Sequence, residues 1–365
     1  MKIVYVITTS NWGGAQKYVY DLVNDRLSKK DDVWLIVGNE GELSKRADQL
    51  HAKVIIVPEL VRNISFYKDI ISILKIRKIL KNINPDIIHL NSSKAGTIGR
   101  LAATSLKARV IFTVHGWPFT EGISAKKQFL YSFIEKNLVS FADKIICVSK
   151  YDYNLALERK VVKDPSKMIV IHNGIKDSLS KNGFVKENNN EKLTLTMVAR
   201  FDEPKNQSLL LKALSNANFN FKLNLVGTGS KLAEVKAQAK KLFKDSGREI
   251  VFWGFQRNVD AILEETDVFV LISKHEALPL SIIEAMKHGL PIVASNVGGI
   301  KELVTTNCYL VDDGKAIVET VTELNQNRDQ IRILGQNSRK IYLSEYTQEK
   351  MLYETNRVYQ DDKRS

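Results

Sequence analysis

Short runs rich in β-branched residues recur along the whole chain, and the stretches between them carry helical patterns. KIVYVIT, DVWLIVG, KVIIVP, IIHLNS, RVIFTVH and KIICVS reach residue 149, MIVIHNG follows, and after an interruption come LTLTMVARF, KLNLVG, IVFWGF, VFVLIS, PIVASNVG and CYLVDD. Strands that alternate with helices pair in parallel by crossing over, so this order dictates parallel sheets with helices on both faces. The 365 residues exceed what one core comfortably fills, and two doubly wound α/β domains are expected. The interruption, IKDSLSKNGFVKENNNEK after the Asn173-Gly174 turn, is polar, lacks an apolar period and reads as an interdomain linker. The expected division is a first domain over 1–178, a linker over 179–192, a second domain over 193–345 and a terminal helix over 346–365. Tyr346, Met351 and Tyr353 are the packing residues expected around that helix. Sheets of this kind bind ligands beyond the carboxyl ends of their strands, which directs attention to the residues just after each run.

Bulk properties narrow the function classes. At 44% hydrophobic and 26% charged, the composition is that of a globular protein. Cys147 and Cys308 lie far apart without metal-ligand spacing, so they are expected to fill strand positions in a reducing, cytoplasmic setting. The opening MKIVYVITTSNWGG reads as a first strand and not as a secretion signal, and no apolar run approaches the roughly 20 residues of a membrane span. The net charge of +13 is unevenly placed: residues 1–180 hold 28 Lys and Arg against 17 Asp and Glu, and residues 181–365 hold 26 against 24. A basic first half either meets an anionic surface, such as lipid headgroups or a polyanion, or simply solvates its helices. Within it, FYKDIISILKIRKILKNI (66–83) sets Ile70, Ile73, Leu74, Ile76, Leu80 and Ile83 against Lys68, Lys75, Lys78 and Lys81. That is the pattern of a sheet-covering helix or of one lying on a membrane.

The stretch KHEALPLSIIEAMKHGLPIVAS (274–295) carries the most chemistry. Glu276 and Glu284, eight residues apart, would stand roughly 80° apart on one helix. Pro279 changes that, because proline suits the first helical turn; the helix is then expected to begin near Pro279 and to end at Gly289. Glu276 falls in the loop before the helix, while Glu284 leans back toward its start. Between them the amides of Leu280, Ser281 and Ile282 are expected to lack partners, at the positive end of the helix dipole. A phosphate on the amides, with carboxylates holding sugar hydroxyls beside it, fits this arrangement. The same residues also match a capping box, Ser281 to Glu284, which needs no ligand. A second strand end, VARFDEPKNQ, offers Arg200 and Lys205 across a strand-to-helix loop. Arginine gives a directed fork and lysine a point charge, a pair able to clamp a diphosphate, although such a loop can equally be only solvated.

Taken in order, these elements resemble the retaining nucleotide-sugar glycosyltransferases of family four. They are Gly13-Gly14 in NWGGAQK, PDIIHLNSSKAG, TVHGWPF with His115, VSKYD, IHNGI, VARFDEPKNQ, LVGTGS, and the Glu276 to Glu284 pair. The resemblance covers nearly the whole chain and implies the GT-B architecture: α/β, with two doubly wound Rossmann-like domains facing across a cleft. It implies that Arg200 and Lys205 neutralise the diphosphate leaving group, that Glu284 holds the ribose and Glu276 the donor sugar, and that the amides of Leu280 and Ser281 complete the phosphate site. Main-chain groups near Gly254 and Phe255 would meet the base, Gly13 and Gly14 would let the backbone approach the diphosphate, and His115 would sit beside the anomeric carbon. FTVHGWPF looks most like enzymes of capsular and exopolysaccharide assembly. The implied reaction moves a hexose or N-acetylhexosamine, from a UDP-sugar in the first instance, to a lipid-linked glycan acceptor. No cofactor and no nucleic-acid partner are implied, and an anionic membrane surface beside the first domain is consistent with its charge. No Asp-x-Asp triplet occurs, so a carboxylate-held divalent metal is not indicated. Where the family often has glycine after the first glutamate this chain has Ala277, whose methyl narrows the donor pocket.

Rival readings use the same residues. Gly227-Thr228-Gly229 after a strand, with Glu249 further on, suggests a nucleotide-dependent dehydrogenase, but Leu232 stands where the third glycine belongs. A sugar phosphorylase or nucleotide-sugar epimerase would use the same phosphate clamp. An inactive partner subunit of another transferase would have lost clamp residues, whereas Arg200, Lys205, Glu276, Glu284 and His115 are all present.

Overall fold

The computed structural model describes residues 1–120, 122–179 and 192–361; nearly all of the expected linker lies outside the described residues. Among the described residues thirteen strands form two sheets. The first contains β1 (Lys2–Ile7), β2 (Asp32–Val37), β3 (Lys53–Ile56), β4 (Ile87–Asn91), β5 (Arg109–Val114), β6 (Lys144–Cys147) and β7 (Met168–Val170), in the order β3-β2-β1-β4-β5-β6-β7. The second contains β8 (Leu193–Val198), β9 (Phe221–Val226), β10 (Glu249–Gly254), β11 (Val268–Leu271), β12 (Ile292–Ser295) and β13 (Cys308–Val311), in the order β10-β9-β8-β11-β12-β13. All the ladders are parallel. Each β-branched run in the sequence is one of these strands, and Cys147 and Cys308 both occupy strand positions as free thiols. The central strands are continuously apolar because both faces are covered: Ile3, Val4, Tyr5, Val6 and Ile7 of β1 are all buried. Strand order reverses between β1 and β4 and again between β8 and β11. Each reversal opens a crevice at the carboxyl edge of its sheet, the place where such folds take ligands.

The chain divides into two units, one of Met1–Gly174 with the residues from Gln348 onward, the other of Ile175–Thr347. The terminal helix is Gln348–Gln360 and belongs to the first unit, whereas the helix before it, Arg328–Glu345, belongs to the second. Met351, Val358 and Tyr359 enter the core formed by Ile3, Tyr5, Ile7 and Leu22. Tyr346 is buried as expected, but Tyr353 is 65% exposed; two residues beyond Met351, it lies about 160° around the helix and faces away from the core.

A second correction concerns the helix Phe66–Ile83. Its buried stripe is Ser72, Ile76, Leu80 and Ile83, whereas Ile70 and Leu74, read as part of its apolar face, are exposed by 48% and 61%. Leu74 points about 160° away from Ile76, so one helix cannot bury both against one sheet.

On this face of the first sheet the helix Ser93–Ala103 is joined to the helix Ala125–Leu138 by a fully buried ion pair, Arg100 Nη2 to Glu135 Oε2 at 2.6 Å. Burial raises the Glu135 carboxyl above its ordinary range, against the lowering effect of Arg100. Removing one partner strands the other charge in the core. Glu135→Ala should therefore destabilise the first unit by about 3–5 kcal/mol, while the paired change Arg100→Met with Glu135→Leu should recover most of that loss, as measured by urea unfolding.

Candidate functional site

At the second crevice two loops are zipped together. The loop after β8 and the loop after β11 pair in antiparallel fashion at Lys205 and Ser273. Asn206 N donates to Ile272 O at 2.9 Å and Lys274 N to Pro204 O at 3.0 Å. This pairing brings Lys205 Nζ directly onto Glu276 Oε1, an oxygen that also accepts from Ser273 Oγ at 2.6 Å. Both side chains are mostly buried, Lys205 at 17% and Glu276 at 10% exposure. The lysine assigned to a phosphate and the glutamate assigned to a sugar are thus ion-pair partners. The end of β12 and the loop after it fix the segment that carries the glutamate. Ser273 N donates to Ser295 Oγ at 3.0 Å at the end of β12, and Gly299 N donates to Glu276 O at 3.1 Å. Gly298 is in the left-handed region at φ 51°, and a Cβ there would lie 2.0 Å from Glu276 O.

The next element is the helix Leu280–Lys287. Pro279 is its N-cap in extended conformation and not its first helical residue. No side chain caps the helix, so the capping-box reading of Ser281 and Glu284 fails; Ser281 is already the second helical residue. The Ile282 amide, expected to lack a partner, donates to Pro279 O at 3.1 Å. The amides of Leu280 and Ser281 have no partner among the described residues, which leaves two donors at the positive helix end. The helix stops as expected at Gly289, with φ 63°. Gly289 N bonds to Met286 O and Leu290 N to Ala285 O, the paired bonds of a glycine-terminated helix. Glu284 is half-buried on the second turn.

Arg200 follows β8 and is 59% exposed, with Nη1 3.6 Å from Asp202 Oδ2. A contact that exposed contributes little, so the guanidinium is available at the rim, while its carbonyl is fixed by Gln207 Nε2 at 2.9 Å. Gly254 ends β10 at φ 67° with open space around its Cβ position, and Phe255 beside it is half exposed. The Gly227-Thr228-Gly229 turn has a different role from a dinucleotide fingerprint. A Cβ on Gly227 would meet Ala199 O at 2.1 Å and one on Gly229 would meet Phe201 O at 2.5 Å. Phe201 N also donates to Thr228 O at 2.9 Å. The glycines let this turn pack on the loop that carries Arg200 and Lys205.

In the first unit His115 follows β5, half-buried, and its Nε2–H donates to Asn91 Oδ1 at 3.1 Å. The Tyr18 ring stands edge-on to it with centroids 4.9 Å apart. Beneath lies a network that sequence reading missed. His89 is fully buried in β4, with Nδ1 2.6 Å from Tyr359 Oη and Nε2 2.7 Å from Thr113 Oγ1. Tyr359 comes from the terminal helix and also meets Tyr5 Oη at 3.2 Å. Burial pushes the His89 imidazole down to about 3 and His115 down to about 4, so both are neutral at ordinary pH. Gly13 caps the helix Gly14–Ser28 in extended conformation, and the space beside it holds the Gln16 carboxamide, tied to Thr9 O at 3.0 Å.

Comparison with known proteins identifies the family. The model described as Glycosyltransferase Family 4 matches residues 12–179 and that described as Glycosyl transferases group 1 matches residues 180–341. The O-antigen biosynthesis glycosyltransferase WbnH of Escherichia coli is 30% identical over 309 residues, 85% of each chain. This chain belongs to that glycosyltransferase family. An Escherichia coli UDP-Gal:α-D-GlcNAc-diphosphoundecaprenol α-1,3-galactosyltransferase is 30% identical over 321 residues, 83% of this chain and 81% of its own. The crystal structure of Anabaena HepE with UDP and glucose superposes with a TM-score of 0.81 at 17% identity, covering 99% of this chain and all of that one, which establishes the GT-B fold.

The glycosyltransferase thus carries its candidate residues at both crevices. Sequence reading passed over Ser273, Asn91 and Gly298, although each falls at or just after the end of a strand run, and the position alone marked them. The neutral histidines give the first unit a definite pH response. An unfolded imidazole protonates near pH 6.5, above either folded value, so protons favour the unfolded chain and stability falls as pH drops from about 6.5 toward about 3. Urea midpoints at about pH 7.5 and about pH 5 should show this fall, and His89→Asn should make it shallower.

Proposed function

We propose that this glycosyltransferase moves a hexose or N-acetylhexosamine from a UDP-sugar, with retention of anomeric configuration, to a lipid-linked saccharide during O-antigen or capsular polysaccharide assembly. The observation that carries the reading is the Lys205–Glu276 pair, held by zipped loops within one crevice and followed at once by the two unpartnered amides of the helix Leu280–Lys287. Cleaving a bond between sugar and nucleoside diphosphate builds positive charge on the sugar and negative charge on the leaving phosphate. Preorganised donors at the phosphate lower that barrier because they need no reorganisation as charge develops. Lys205, Arg200 and the amides of Leu280 and Ser281 are such donors. Glu276, with Ser273 Oγ already on one oxygen, takes hydroxyls of the donor sugar, and Glu284 takes the ribose. Because two cations and a helix end neutralise the leaving group, the proposed reaction needs no divalent metal.

The acceptor class is proposed from the relatives: the galactosyltransferase above acts on a diphosphoundecaprenol-linked sugar, and a Campylobacter jejuni relative, 28% identical over 319 residues, is named for a PP-undecaprenol-linked one. A cytoplasmic setting accords with the free thiols of Cys147 and Cys308.

Calorimetry with UDP, GDP, ADP and CMP tests the donor. UDP should bind, and Lys205→Ala should weaken it by about 1.5–3 kcal/mol, the range for a hydrogen bond to a charged group. Binding of another nucleotide in place of UDP would change the donor, and equal affinity of the variant would remove Lys205 from the phosphate site. Glu284→Ala should weaken binding by a few kcal/mol at most, through lost ribose hydrogen bonds. Transfer from the bound donor should persist in EDTA, and a product with inverted anomeric configuration would overturn retention.

A further inference from the structure

One edge of the second sheet is left open. Among the described residues β10 has a neighbouring strand on one side only, β9. At six residues it is longer than β3, β7 and β13, the other strands that end a sheet, which have four, three and four. Its register with β9 shifts only between Phe252 and Gly254, so Glu249 to Phe252 run as a regular strand. Open edges are ordinarily blunted by shortness, proline or charge. EIVFWG has no proline and a single charge, Glu249 at its start. Alternate N–H and C=O groups along it therefore face outward as a template for another chain.

Beside that edge lies a groove of about 400 Å³, lined by Ile250 and Phe252 of β10 and by four cations, Lys236, Lys240, Lys244 and Arg248. The three lysines keep a four-residue spacing along the helix Leu232–Leu242 and just past its end, which gathers them in one row. Lys236 Nζ stands over the Phe252 ring, 5.5 Å from its centroid, and sets that end of the row against β10. Successive side chains of a strand alternate between faces. Arg248, Ile250 and Phe252 share the groove face, while Glu249 alternates onto the other.

Charge identifies the occupant. Among the described residues no carboxylate pairs with any of the four cations or lines the groove. The guanidinium of Arg248 is oriented by the carbonyls of Ser215 and Ala217, which hold it in place without neutralising it. Free phosphate or a lipid headgroup would answer the cations and leave the backbone groups of the edge unused. A second copy of β10 would answer the backbone and set one lysine row against another, a like-charge juxtaposition that destabilises a strand pair. An extended acidic peptide answers both, because its main chain continues the sheet and its alternate side chains rise into the groove. We propose that β10 is a docking edge for an extended acidic segment of a partner protein, added as a further strand with its carboxylates toward Lys236, Lys240, Lys244 and Arg248.

The test is fluorescence anisotropy of the full chain with a labelled short peptide of alternating glutamate and valine. The peptide should bind at least about tenfold more tightly than its glutamine and valine counterpart, and the preference should shrink as salt rises. Methylating the peptide's amides on alternate residues separates strand addition from charge alone. One set of methyl groups should cost about tenfold or more and the other far less, because an added strand uses only the backbone groups that face β10. Lys240→Glu with Lys244→Glu should weaken binding by about tenfold or more, while a urea midpoint at the parent value shows the variant folded. Parent protein that does not bind the acidic peptide would overturn the proposal. Equal binding of both methylated forms would also overturn it, leaving a contact for any polyanion, which tripolyphosphate would then displace. So would a parent dimer that the peptide disperses, since the edge would then serve a second copy.

Discussion

One ammonium group and one carboxylate, brought together across 71 residues of chain, organise the second unit's site: Lys205 and Glu276. Neither could be left alone in so enclosed a place, because an unpaired, mostly buried charge loses its hydration without compensation. Each side chain therefore fixes the other, and the backbone of both loops is arranged to permit it. Lys205 pairs with Ser273 across the loops, Ser273 holds Glu276, and Gly298 has no side chain because Glu276 O occupies the place of its Cβ. In the proposed reaction a diphosphate that attracts Lys205 would release a carboxylate oxygen that Ser273 still orients, so the anion would prepare the group proposed to meet the sugar.

The first unit solves a different problem by a related route. His115 needs a fixed orientation at a sheet edge where solvent competes for its ring. Asn91 and the Tyr18 ring supply it, and below them His89, Thr113 and Tyr359 fill the interior with satisfied polar groups. Tyr359 belongs to the terminal helix, so a segment more than two hundred residues away in sequence completes the floor under His115. The helix Gln348–Gln360 therefore belongs to the first unit: Met351, Val358 and Tyr359 pack into the core that contains β1, and Tyr359 is hydrogen-bonded to Tyr5 and His89.

Most of the fold was legible because a parallel sheet buried on both faces leaves uninterrupted Val and Ile runs, and every such run proved a strand. The candidate residues were legible as far as they follow strand ends: Arg200 and Lys205 lie in the loop after β8, Glu276 in the loop after β11 and His115 just after β5. What escaped depends on distance in sequence. Nothing near Lys205 announces that its partner is Glu276, nothing in SEYTQEKMLYETNRVYQ says that Tyr359 and not Tyr353 turns inward, and Ile70 with Leu74 satisfies a helical apolar period while pointing into solvent. Periodicity reports that a stripe exists. Which of two competing stripes is buried depends on the element it packs against, and that information is not local. The capping box failed for a local reason: Pro279 fixes the helix start two residues earlier than Ser281 requires.

Ion pairs in both units tie loop to loop and helix to helix. In the second, Lys205 meets Glu276, Lys231 and Lys274 meet Glu203, Lys287 meets Asp260, and Arg339 meets Asp177. In the first, Lys94 and Arg100 hold Asp69 and Glu135, the acidic residues of the helices Phe66–Ile83 and Ala125–Leu138, so lysines outnumber carboxylates on both helices. A solvated helix face gains nothing from Phe66, Phe129 and Phe133, since each holds apolar area in water.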